Sequence, residues 1–469
     1  MRARLAVGAV VVAALAGGYA VADAADVVPG ILTSQPLTSE PAPFRTALPV
    51  SAASASPAPV TAVGTEAPLP DASAVQELAK AVRDDDRTGE STNVSVVDLL
   101  TGEVLGDLDA HDTQVPASTT KLLTSVSAVA DLGADYRMET SVTWDESTRT
   151  LTVVAGGDML LAADAGHGGE GEDANGWAGL GDLADAVVET VGADVLGAAP
   201  VTLAVDDSVF DAPAWNPEWP DYARTSGYVA PATGLAVDAA RMTDEHYAPR
   251  YDDPSLAAGD VFATRLAERD VTVSGEVTRA SAVGETVGSV LGAPLSEVAA
   301  LTLYESDNTI AEITGLVHAM EVGRKTTAKG SANATIAGLE SMGVDVTGLK
   351  LFDGAGFSEN NRIAPDHLTG TLVAAYATEA TEDILDWLPV GALEGTVDER
   401  YVDTAAAGQM RAKTGSLTGV SSLAGTVQTA DGRLLAFATM ADGMEYNPVG
   451  PRQAFDEMVV ALAECGCEG

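Results

Sequence analysis

A serine and a lysine stand three residues apart in the stretch "VPASTTKLLTSVSAVADLG", where the apolar spacing predicts a helix. Residues at this separation share a helix face, so the amine of Lys121 can reach the hydroxyl of Ser118. The nearby helix N-terminus favours a developing negative charge on that hydroxyl. For Lys121 to act as a base, its pKa must fall from about 10.4 towards 7, which requires burial and another cation nearby. We therefore predict a serine nucleophile with a lysine base.

Two distant segments offer groups that can complete such a site. The stretch "AKTGSLTG" supplies a second cation, Lys413, followed by the hydroxyl of Thr414 and by Gly415, which lets a ligand lie against the backbone. The stretch "YESDNTIAE" can project the Ser306 hydroxyl and the Asn308 amide into the same cleft. Ser-x-x-Lys, Ser-Asp-Asn and Lys-Thr-Gly together are the pattern of penicillin-binding proteins and class A β-lactamases. Their ordered occurrence predicts acyl transfer through a covalent intermediate.

Other interpretations of these residues stay open at the level of sequence. Ser118 can serve only as a helix cap, and Lys413 can lie exposed on an edge strand. A second Ser-x-Asn, in "KGSANAT", directly precedes a helical pattern, so we interpret Ser331 as a cap of that helix. The five histidines include no His-Glu-x-x-His, and the chain has no Gly-x-Ser-x-Gly, which argues against zinc and Ser-His-Asp hydrolases. We interpret His111 as a solvated residue on a strand-end loop.

The elements around the Lys121 helix have a clear pattern. Gly133 suits the left-handed position that ends this helix. Ahead of it, "DASAVQELAKAVRDD" predicts a helix capped by Asp71 or Ser73. The stretch "NVSVVDLLTGEVLGDLDA" predicts two strands joined by a turn at Thr101 to Gly102.

The rest of the chain divides into three patterns. Residues 137–292 carry short strands and polar loops, among them "TSVTWDESTRTLTVVAGG" and "DVTVSGEVTRA", which predicts inserted β-rich domains. Helical patterning returns at "PLSEVAALTLYESDNTIAEITGLVHAM", and three strands and a last helix close the chain. Strands at both ends with helices between them predict an α+β fold, an antiparallel sheet flanked by helices and split in sequence by the insertion.

Charge, the N-terminus and the cysteines limit the class of function. The 25 basic and 69 acidic residues give a formal charge of -44, which would repel a phosphate backbone, so we expect no nucleic-acid partner. The start "MRARLAVGAVVVAALAGGYAVADA" is typical of an export signal, with cleavage and retention as a membrane anchor both open. We therefore expect an extracytoplasmic protein, secreted or membrane-anchored at the bacterial cell envelope. Cys465 and Cys467 can form a local bridge or stay reduced, and their spacing does not suit a metal site.

These patterns predict four segments. Residues 1–26 form a signal peptide or signal anchor, and residues 27–70 a Pro/Ala/Ser-rich linker. A split catalytic domain takes residues 71–140 and 295–467. The inserted domain or domains take residues 141–294.

At the three motifs the sequence resembles class C low-molecular-mass penicillin-binding proteins, the D-alanyl-D-alanine carboxypeptidase/endopeptidase family. The resemblance runs from about Val94 to Cys467 and includes "GGD", "DDSVFD", "GYVAP" and "DGAGFSENNRIAP". The step from Ser118 to Ser306 is 188 residues, much longer than in class A β-lactamases, which fits the two domains that this family inserts there. The resemblance implies a penicillin-binding/β-lactamase-like serine transpeptidase fold.

The resemblance also implies a mechanism without metal or cofactor. Ser118, deprotonated by Lys121, would attack the carbonyl of the penultimate D-alanine of a peptidoglycan stem peptide ending in D-Ala-D-Ala. Ser306 would pass the proton to the leaving amine, and Asn308 would hold the substrate amide. The terminal carboxylate would bind Lys413 and Thr414, and the oxyanion would meet the backbone N–H groups of Ser118 and Ser416. β-Lactam antibiotics would inhibit the enzyme.

A further set of residues resembles the family's pocket for the peptide side chain. Arg362 in "FSENNRIAP" would contact the substrate, and Trp219, Asp221 and Tyr222 would form another wall, with ordinary domain packing as the alternative. The main hypothesis is thus a serine-type D-Ala-D-Ala carboxypeptidase, with D,D-endopeptidase action as an extension. A β-lactamase-like hydrolase and a catalytically weak wall-binding module are the alternatives.

Overall fold

The computed structural model describes residues 66–89, 91–169, 174–211, 213–444 and 449–465. The predicted export signal, nearly all of the predicted linker and Cys467 lie outside these residues. Within them there are twelve strands: β1 (Thr92–Asp98), β2 (Val104–Leu108), β3 (Arg137–Asp145), β4 (Thr150–Val154), β5 (Asp158–Leu161), β6 (Thr202–Asp206), β7 (Leu235–Val237), β8 (Thr278–Arg279), β9 (Glu285–Pro294), β10 (Met410–Leu417), β11 (Val420–Gln428) and β12 (Leu434–Ala441).

The same residues contain eleven α-helices and four short 3₁₀ turns. The helices are α1 (Ala72–Arg83), α2 (Thr120–Leu132), α3 (Leu180–Val191), α4 (Ala193–Gly197), α5 (Asp221–Thr225), α6 (Pro254–Ala267), α7 (Leu295–Glu305), α8 (Asn308–Glu321), α9 (Ala328–Ser341), α10 (Pro365–Tyr376) and α11 (Gly450–Glu464). The 3₁₀ turns are Ala117–Thr119, Asp238–Ala240, Glu382–Trp387 and Gly395–Val397. No helix in the described part of the chain is both long and apolar enough to span a bilayer.

The main sheet joins strands from both ends of the chain. Its order is β10-β11-β12-β1-β2, and every pairing is antiparallel. Side chains alternate between the two faces of β12: Ala436 and Ala438 pack with the core around α2, whereas Phe437 packs with Phe455 of α11 and Val75 of α1. The sheet is therefore covered by helices on both faces, and the predicted α+β class is confirmed.

A second sheet is built from the chain between Arg137 and Pro294. Its order is β8-β6-β4-β3-β9, and β6 pairs in parallel with both β4 and β8. Helices α3 and α6 bury Leu183 and Phe262 against it in a core separate from that of the main sheet. Because β3 begins at Arg137, the predicted boundary between residues 140 and 141 falls within a strand.

Several local predictions agree with the structure. Asp71 is the cap of α1, where its carboxylate accepts the backbone N–H groups of Ser73 and Ala74. Gly102 lies at positive φ in the turn between β1 and β2, and Gly133 ends α2 with φ 88°. Each of these positions shows the turn or cap chemistry that its residue type favours.

The stretch "DVTVSGEVTRA", predicted to form short strands, contains the two-residue strand β8 and a single β-bridge between Val273 and Val201. One local prediction is wrong. Ser331 does not cap α9, because this helix begins at Ala328 and Thr327 accepts the N–H of Gly330 as its cap. Ser331 lies buried inside the helix, so the second Ser-x-Asn belongs to its packing.

Candidate active site

Ser118 lies on a tight turn just before α2. The turn is 3₁₀ at Ala117–Thr119, and Ala117 has φ 49°, a left-handed conformation that L-residues other than glycine rarely adopt. The carbonyl of Pro116 accepts hydrogen bonds from the hydroxyls of Thr119 at 2.8 Å and Ser422 at 2.5 Å. A strained backbone held by two side chains therefore presents Ser118, which is partly exposed.

Lys121 lies one turn further on, with its amine beside the Ser118 hydroxyl. Its Nζ is 3.0 Å from Ser118 Oγ, 2.6 Å from Asn308 Oδ1 and 2.7 Å from the carbonyl oxygen of Ala355. The side chain is fully buried, and this burial lowers the pKa of Lys121 to about 7 against the opposing effect of Asp353 and other acidic neighbours. Near neutral pH a large share of these amines is therefore uncharged.

The neutral amine has a hydrogen-bond arrangement suited to a base. Asn308 Nδ2 donates to the carbonyl of Tyr228 at 2.9 Å, which turns Oδ1 towards Lys121. The oxygens of Asn308 and Ala355 can only accept, so they take both N–H groups of a neutral Lys121. The remaining lone pair then points at the hydroxyl of Ser118.

Ser306 lies at the break between α7 and α8. Its φ of 62° is left-handed, and the chain turns there before Asp307 caps α8 by accepting the N–H of Ile310. The Ser306 hydroxyl accepts a hydrogen bond from Lys413 Nζ at 2.9 Å. The break thus brings Ser306 and Asn308 to the same cleft as Ser118.

Lys413 is the second buried amine of the site. It lies on β10, and its Nζ also donates to the carbonyl of Thr414 at 3.1 Å. Burial, and then the charge of Lys121, keep the pKa of Lys413 well below its usual range. The sequence predicted that burial and a second cation, Lys413, would together lower the pKa of Lys121. In the structure the main cause is burial. An anionic ligand would supply the counter-charge for Lys413.

Two glycines allow the backbone to close tightly around Ser118. A Cβ at Gly415 would lie 2.1 Å from Ser422 Oγ and 3.0 Å from the backbone nitrogen of Ser118. A Cβ at Gly356, which has φ 87°, would lie 1.9 Å from the carbonyl oxygen of Ala117. Strand β10 and the loop at Gly356 can therefore approach the nucleophile turn only without side chains.

The catalytic groups open onto a cleft with two compartments that meet at Ser118, Ser306 and Ser416. The larger compartment, about 850 Å³, lies on the side of Thr414 and Thr396. The smaller one, about 590 Å³, lies on the side of Leu417 and Thr418 and is lined by Tyr222, Tyr228, Tyr247 and Phe357. β10 is the edge strand of the main sheet, and its first residues, 410–412, are hydrogen-bonded to residues 389–391. The cleft runs along the later part of the strand, whose backbone is open to a further strand.

The structure brings most of the predicted residues together, but not all. Thr414, Gly415, Ser416 and Tyr222 line the cleft with the three motifs. Asp221 is exposed, and neither it nor Arg362 is among the described residues that line the two compartments. A substrate contact by these two residues gains no support from this geometry.

The alternative of domain packing accounts for two of the pocket predictions. The guanidinium of Arg362 donates to the carbonyls of Glu359 and Asn361, both at 2.7 Å, and so holds its own loop. Trp219 is buried and donates its indole N–H to Asp353 at 2.9 Å. His111 is an exposed residue that contacts Asp366, close to what the sequence predicts.

Sequence reasoning missed two buried carboxylates behind the site. Asp353 accepts backbone N–H groups from Gly356 at 2.8 Å and Ser358 at 2.7 Å. Glu312 accepts the N–H of Gly354 at 2.8 Å, and burial raises the pKa of Glu312 to about 8. Together they fix the loop whose Ala355 carbonyl contacts Lys121. The two acidic residues are visible in the stretches "DGAGF" and "NTIAE", but no rule of sequence spacing indicates that these stretches meet.

Within the described residues, no three side chains of His, Cys, Asp or Glu gather as a metal site.

Comparison with known proteins decides the family. The model of the D-Ala-D-Ala carboxypeptidase 3 (S13) family matches residues 74–251 and 239–465. The chain belongs to this family. It is 34% identical to carboxypeptidase DacB of Mycolicibacterium smegmatis, over 79% of this chain and 80% of that protein. It is 31% identical to carboxypeptidase Rv3627c of Mycobacterium tuberculosis, over 87% of both. The resemblance seen in the motifs is thereby confirmed.

A solved structure supports the fold of this family member. Penicillin binding protein 4 (dacB) from Haemophilus influenzae superimposes with a TM-score of 0.65 at 18% identity, covering 81% of this chain and 97% of that one. The same protein complexed with a β-lactam gives a TM-score of 0.61. At this identity the likeness shows the penicillin-binding fold alone.

Proposed function

We propose that this family member is a serine-type D-alanyl-D-alanine carboxypeptidase that acts on peptidoglycan stem peptides. The observation that carries the proposal is the 3.0 Å contact between Ser118 Oγ and the buried amine of Lys121. A serine hydroxyl is a weak nucleophile unless a base removes its proton. Here the base is desolvated, and in its neutral form the two N–H groups have acceptors, so that the lone pair can accept the proton of the hydroxyl.

Acylation begins when Lys121 takes the proton of Ser118. The Ser118 oxygen then bonds to the carbonyl carbon of the penultimate D-alanine, and the oxyanion meets the backbone N–H groups of Ser118 and Ser416. Each such donor is worth about 3 to 4 kcal/mol. Collapse of the intermediate breaks the C–N bond, and the proton held by Lys121 passes through Ser306 to the leaving amine. Water then hydrolyses the ester with Lys121 as base again.

Substrate binding follows from the open edge of β10. A peptide that adds to this edge as an antiparallel strand runs past Ser118. Its terminal carboxylate then lies beside Lys413, Thr414 and Ser416, and its acyl part extends towards Thr418. The Asn308 amide holds the substrate amide. A carboxylate at this place would also favour the charged form of Lys413, which burial and the charge of Lys121 oppose.

We further propose D,D-endopeptidase action on crosslinked peptides, on the ground of the larger compartment. A volume of about 850 Å³ lies on the leaving-group side, far more than one alanine needs. Incubation with a purified crosslinked muropeptide dimer should release monomers, and Ser118→Ala should abolish the release. If only free stem peptides are shortened, the enzyme is a carboxypeptidase alone.

The proposal includes an extracytoplasmic site of action and inhibition by β-lactams. The N-terminal export pattern lies outside the described residues, so it supports the location by sequence alone. A β-lactam carries a strained amide and a carboxylate that match the proposed substrate groups, so it should acylate Ser118.

Labelling with penicillin tests the function and the nucleophile together. The purified protein should form a penicilloyl adduct that peptide mapping places on Ser118, and it should release D-alanine from a pentapeptide ending in D-Ala-D-Ala. Ser118→Ala should lose both properties, whereas Ser125→Ala, a buried serine on the same helix, should keep them. Release of D-alanine by the Ser118→Ala variant would overturn the proposal. Rapid loss of the adduct would point to a β-lactamase instead.

A further inference from the structure

Arg452 is an arginine in the cleft for which the proposed mechanism has no use. It lies in the first turn of α11 and lines both compartments at their junction. Its Nη2 donates to the Ser416 hydroxyl at 2.9 Å, and the side chain is otherwise exposed. The guanidinium therefore lies beside the strand along which the substrate is expected to bind.

Among the residues that the structure describes, Arg452 has no ion-pair partner. Arg411 and Arg433 each face a carboxylate, at 3.4 and 2.6 Å for the N···O pair, and Arg400 contacts the carboxylate of Asp456. Arg452 forms no ion pair with any residue that the structure describes, although acidic residues far outnumber basic ones in this chain. A cation in the first turn of a helix also interacts unfavourably with the helix dipole. Neither packing nor electrostatics within the described part of the chain explains an arginine here.

The neighbouring side chains make a site for a carboxylate. Thr414 and Ser416 are two residues apart on β10, so their side chains project from the same face, about 7 Å apart along the strand. Both hydroxyls line the larger compartment, with Arg452 beside Ser416. A carboxylate between the two hydroxyls would have Arg452 within reach, and a guanidinium binds carboxylates through paired N–H groups.

We propose that Arg452 is a substrate-binding residue that contacts the carboxylate of the terminal D-alanine of a stem peptide and strengthens the binding of peptides that carry this carboxylate. The inference rests on the proposed function. Arg452 acts on binding rather than on proton transfer, since it lies beside Ser416 and not beside Lys121. Its loss should therefore weaken substrate binding and leave the chemical step nearly intact.

Two peptides that differ only at the C-terminus isolate this contact. One ends in D-Ala-D-Ala with a free carboxylate, and the other carries a carboxamide, whose affinity is read as a competitive inhibition constant whether or not it is cleaved. A charged hydrogen bond is worth enough to change binding by about 10- to 100-fold. Arg452→Gln should raise KM for the acid by this factor, change kcat less than about threefold, and alter the constant for the carboxamide less than about twofold. Arg452→Lys should recover part of the loss, because it keeps the charge without the fork.

A matched control separates the contact from a general charge effect. Arg324 is also exposed, forms no ion pair with the described residues and lies outside the cleft lining. Arg324→Gln should leave both constants unchanged, and thermal unfolding should show that all variants fold. Equal losses for acid and carboxamide, or an unchanged KM for the acid in Arg452→Gln, would overturn the proposal. A wild-type protein that neither cleaves the acid peptide nor reacts with penicillin would instead overturn the proposed function.

Discussion

The residue on which the chemistry depends is Lys121, because a single proton decides whether it can act. In its charged form the amine has three hydrogens and no lone pair for Ser118. Burial lowers its pKa to about 7, so the active form accumulates as the pH rises through neutrality. The acidic neighbours limit how far the pKa falls. The balance of the two effects sets the pH range in which the enzyme can work.

The rate constant for acylation by penicillin should follow this titration. It should rise about tenfold per pH unit below pH 7 and level off above it, because only the neutral amine accepts the proton of Ser118. Stopped-flow measurements between pH 5 and 9 check this. Lys121→Arg, which stays charged, should leave little activity at any pH, whereas Lys325→Arg, an exposed control, should keep the wild-type profile. A rate independent of pH below 7 would contradict the assignment.

Glu312 provides a second prediction at this scale, on stability. Its pKa is about 8 in the folded protein and about 4.3 in the unfolded chain. Between these pH values the folded state holds a proton that the unfolded state has lost, so this group's contribution to the free energy of unfolding falls as the pH rises. Glu312→Gln keeps the neutral shape and removes the titration.

Urea unfolding of both proteins at pH 5, 6.5 and 8 measures this effect. The variant should gain stability over the wild type with rising pH, by roughly 3 kcal/mol across the range, since each pKa unit is worth about 1.4 kcal/mol. Activity at pH 7 should change little, because wild-type Glu312 is largely protonated there. A stability difference that does not vary with pH would show that Glu312 does not titrate in this window.

The catalytic side chains that belong to a sequence motif could be predicted from the sequence, whereas the backbone contacts of the site could not. Ser118, Lys121 and Lys413 stand at recognisable spacings, and the structure places their polar atoms together. The Ala355 carbonyl contacts Lys121 equally closely, but a backbone oxygen has no sequence signature. Arg452 lies on a helix whose register against β10 depends on the whole sheet, so no local pattern indicates it.

At the scale of elements, the site depends on how closely strand β10 approaches the nucleophile turn. Gly415 allows this approach, since a Cβ there would lie 2.7 Å from the carbonyl of Pro116 and 2.1 Å from Ser422 Oγ. Both atoms belong to the support of the turn that carries Ser118. The strand and the turn therefore have to move apart if any side chain is added.

Gly415→Ala should reduce the acylation rate by roughly 100-fold, because a displacement of about 1 Å is enough for such a loss. The circular dichroism spectrum should stay close to that of the wild type. Gly408→Ala is a suitable control for the loss of a glycine outside the cleft, although its positive φ makes some loss of stability expected. Wild-type acylation by Gly415→Ala would show that the turn tolerates a wider separation.

The break between α7 and α8 shows what periodicity cannot predict. The stretch "PLSEVAALTLYESDNTIAEITGLVHAM" keeps a helical pattern throughout, yet the chain turns at Ser306 in a left-handed conformation. The signal for the break is local, because aspartate is a favoured helix cap and Asp307 caps the N-terminus of α8. The elements themselves could be predicted, whereas the angle that brings Ser306 to Lys413 results from tertiary packing.

The whole molecule has an extreme acidic excess, and this has a measurable effect. A formal charge of -44 produces self-repulsion that salt screens, at a Debye length of about 10 Å in 0.1 M salt and 3 Å in 1 M. The melting temperature should therefore rise by about 3 °C or more between 20 mM and 1 M NaCl. Differential scanning fluorimetry checks this, with sucrose as an uncharged control. A melting temperature that falls with salt would mean that specific ion pairs outweigh the repulsion.

The pairing of β1 with β12 determines when the main sheet can fold during synthesis of the chain. Thr92 to Asp98 pair with Leu435 to Ala441. Strand β1 therefore cannot take its place in the main sheet until β12 has been synthesised. Ser118 and Lys121 leave the ribosome long before Lys413 and the strands β10, β11 and β12 that complete the main sheet. A chain that has been made only as far as α10 therefore lacks Lys413 and cannot assemble the site.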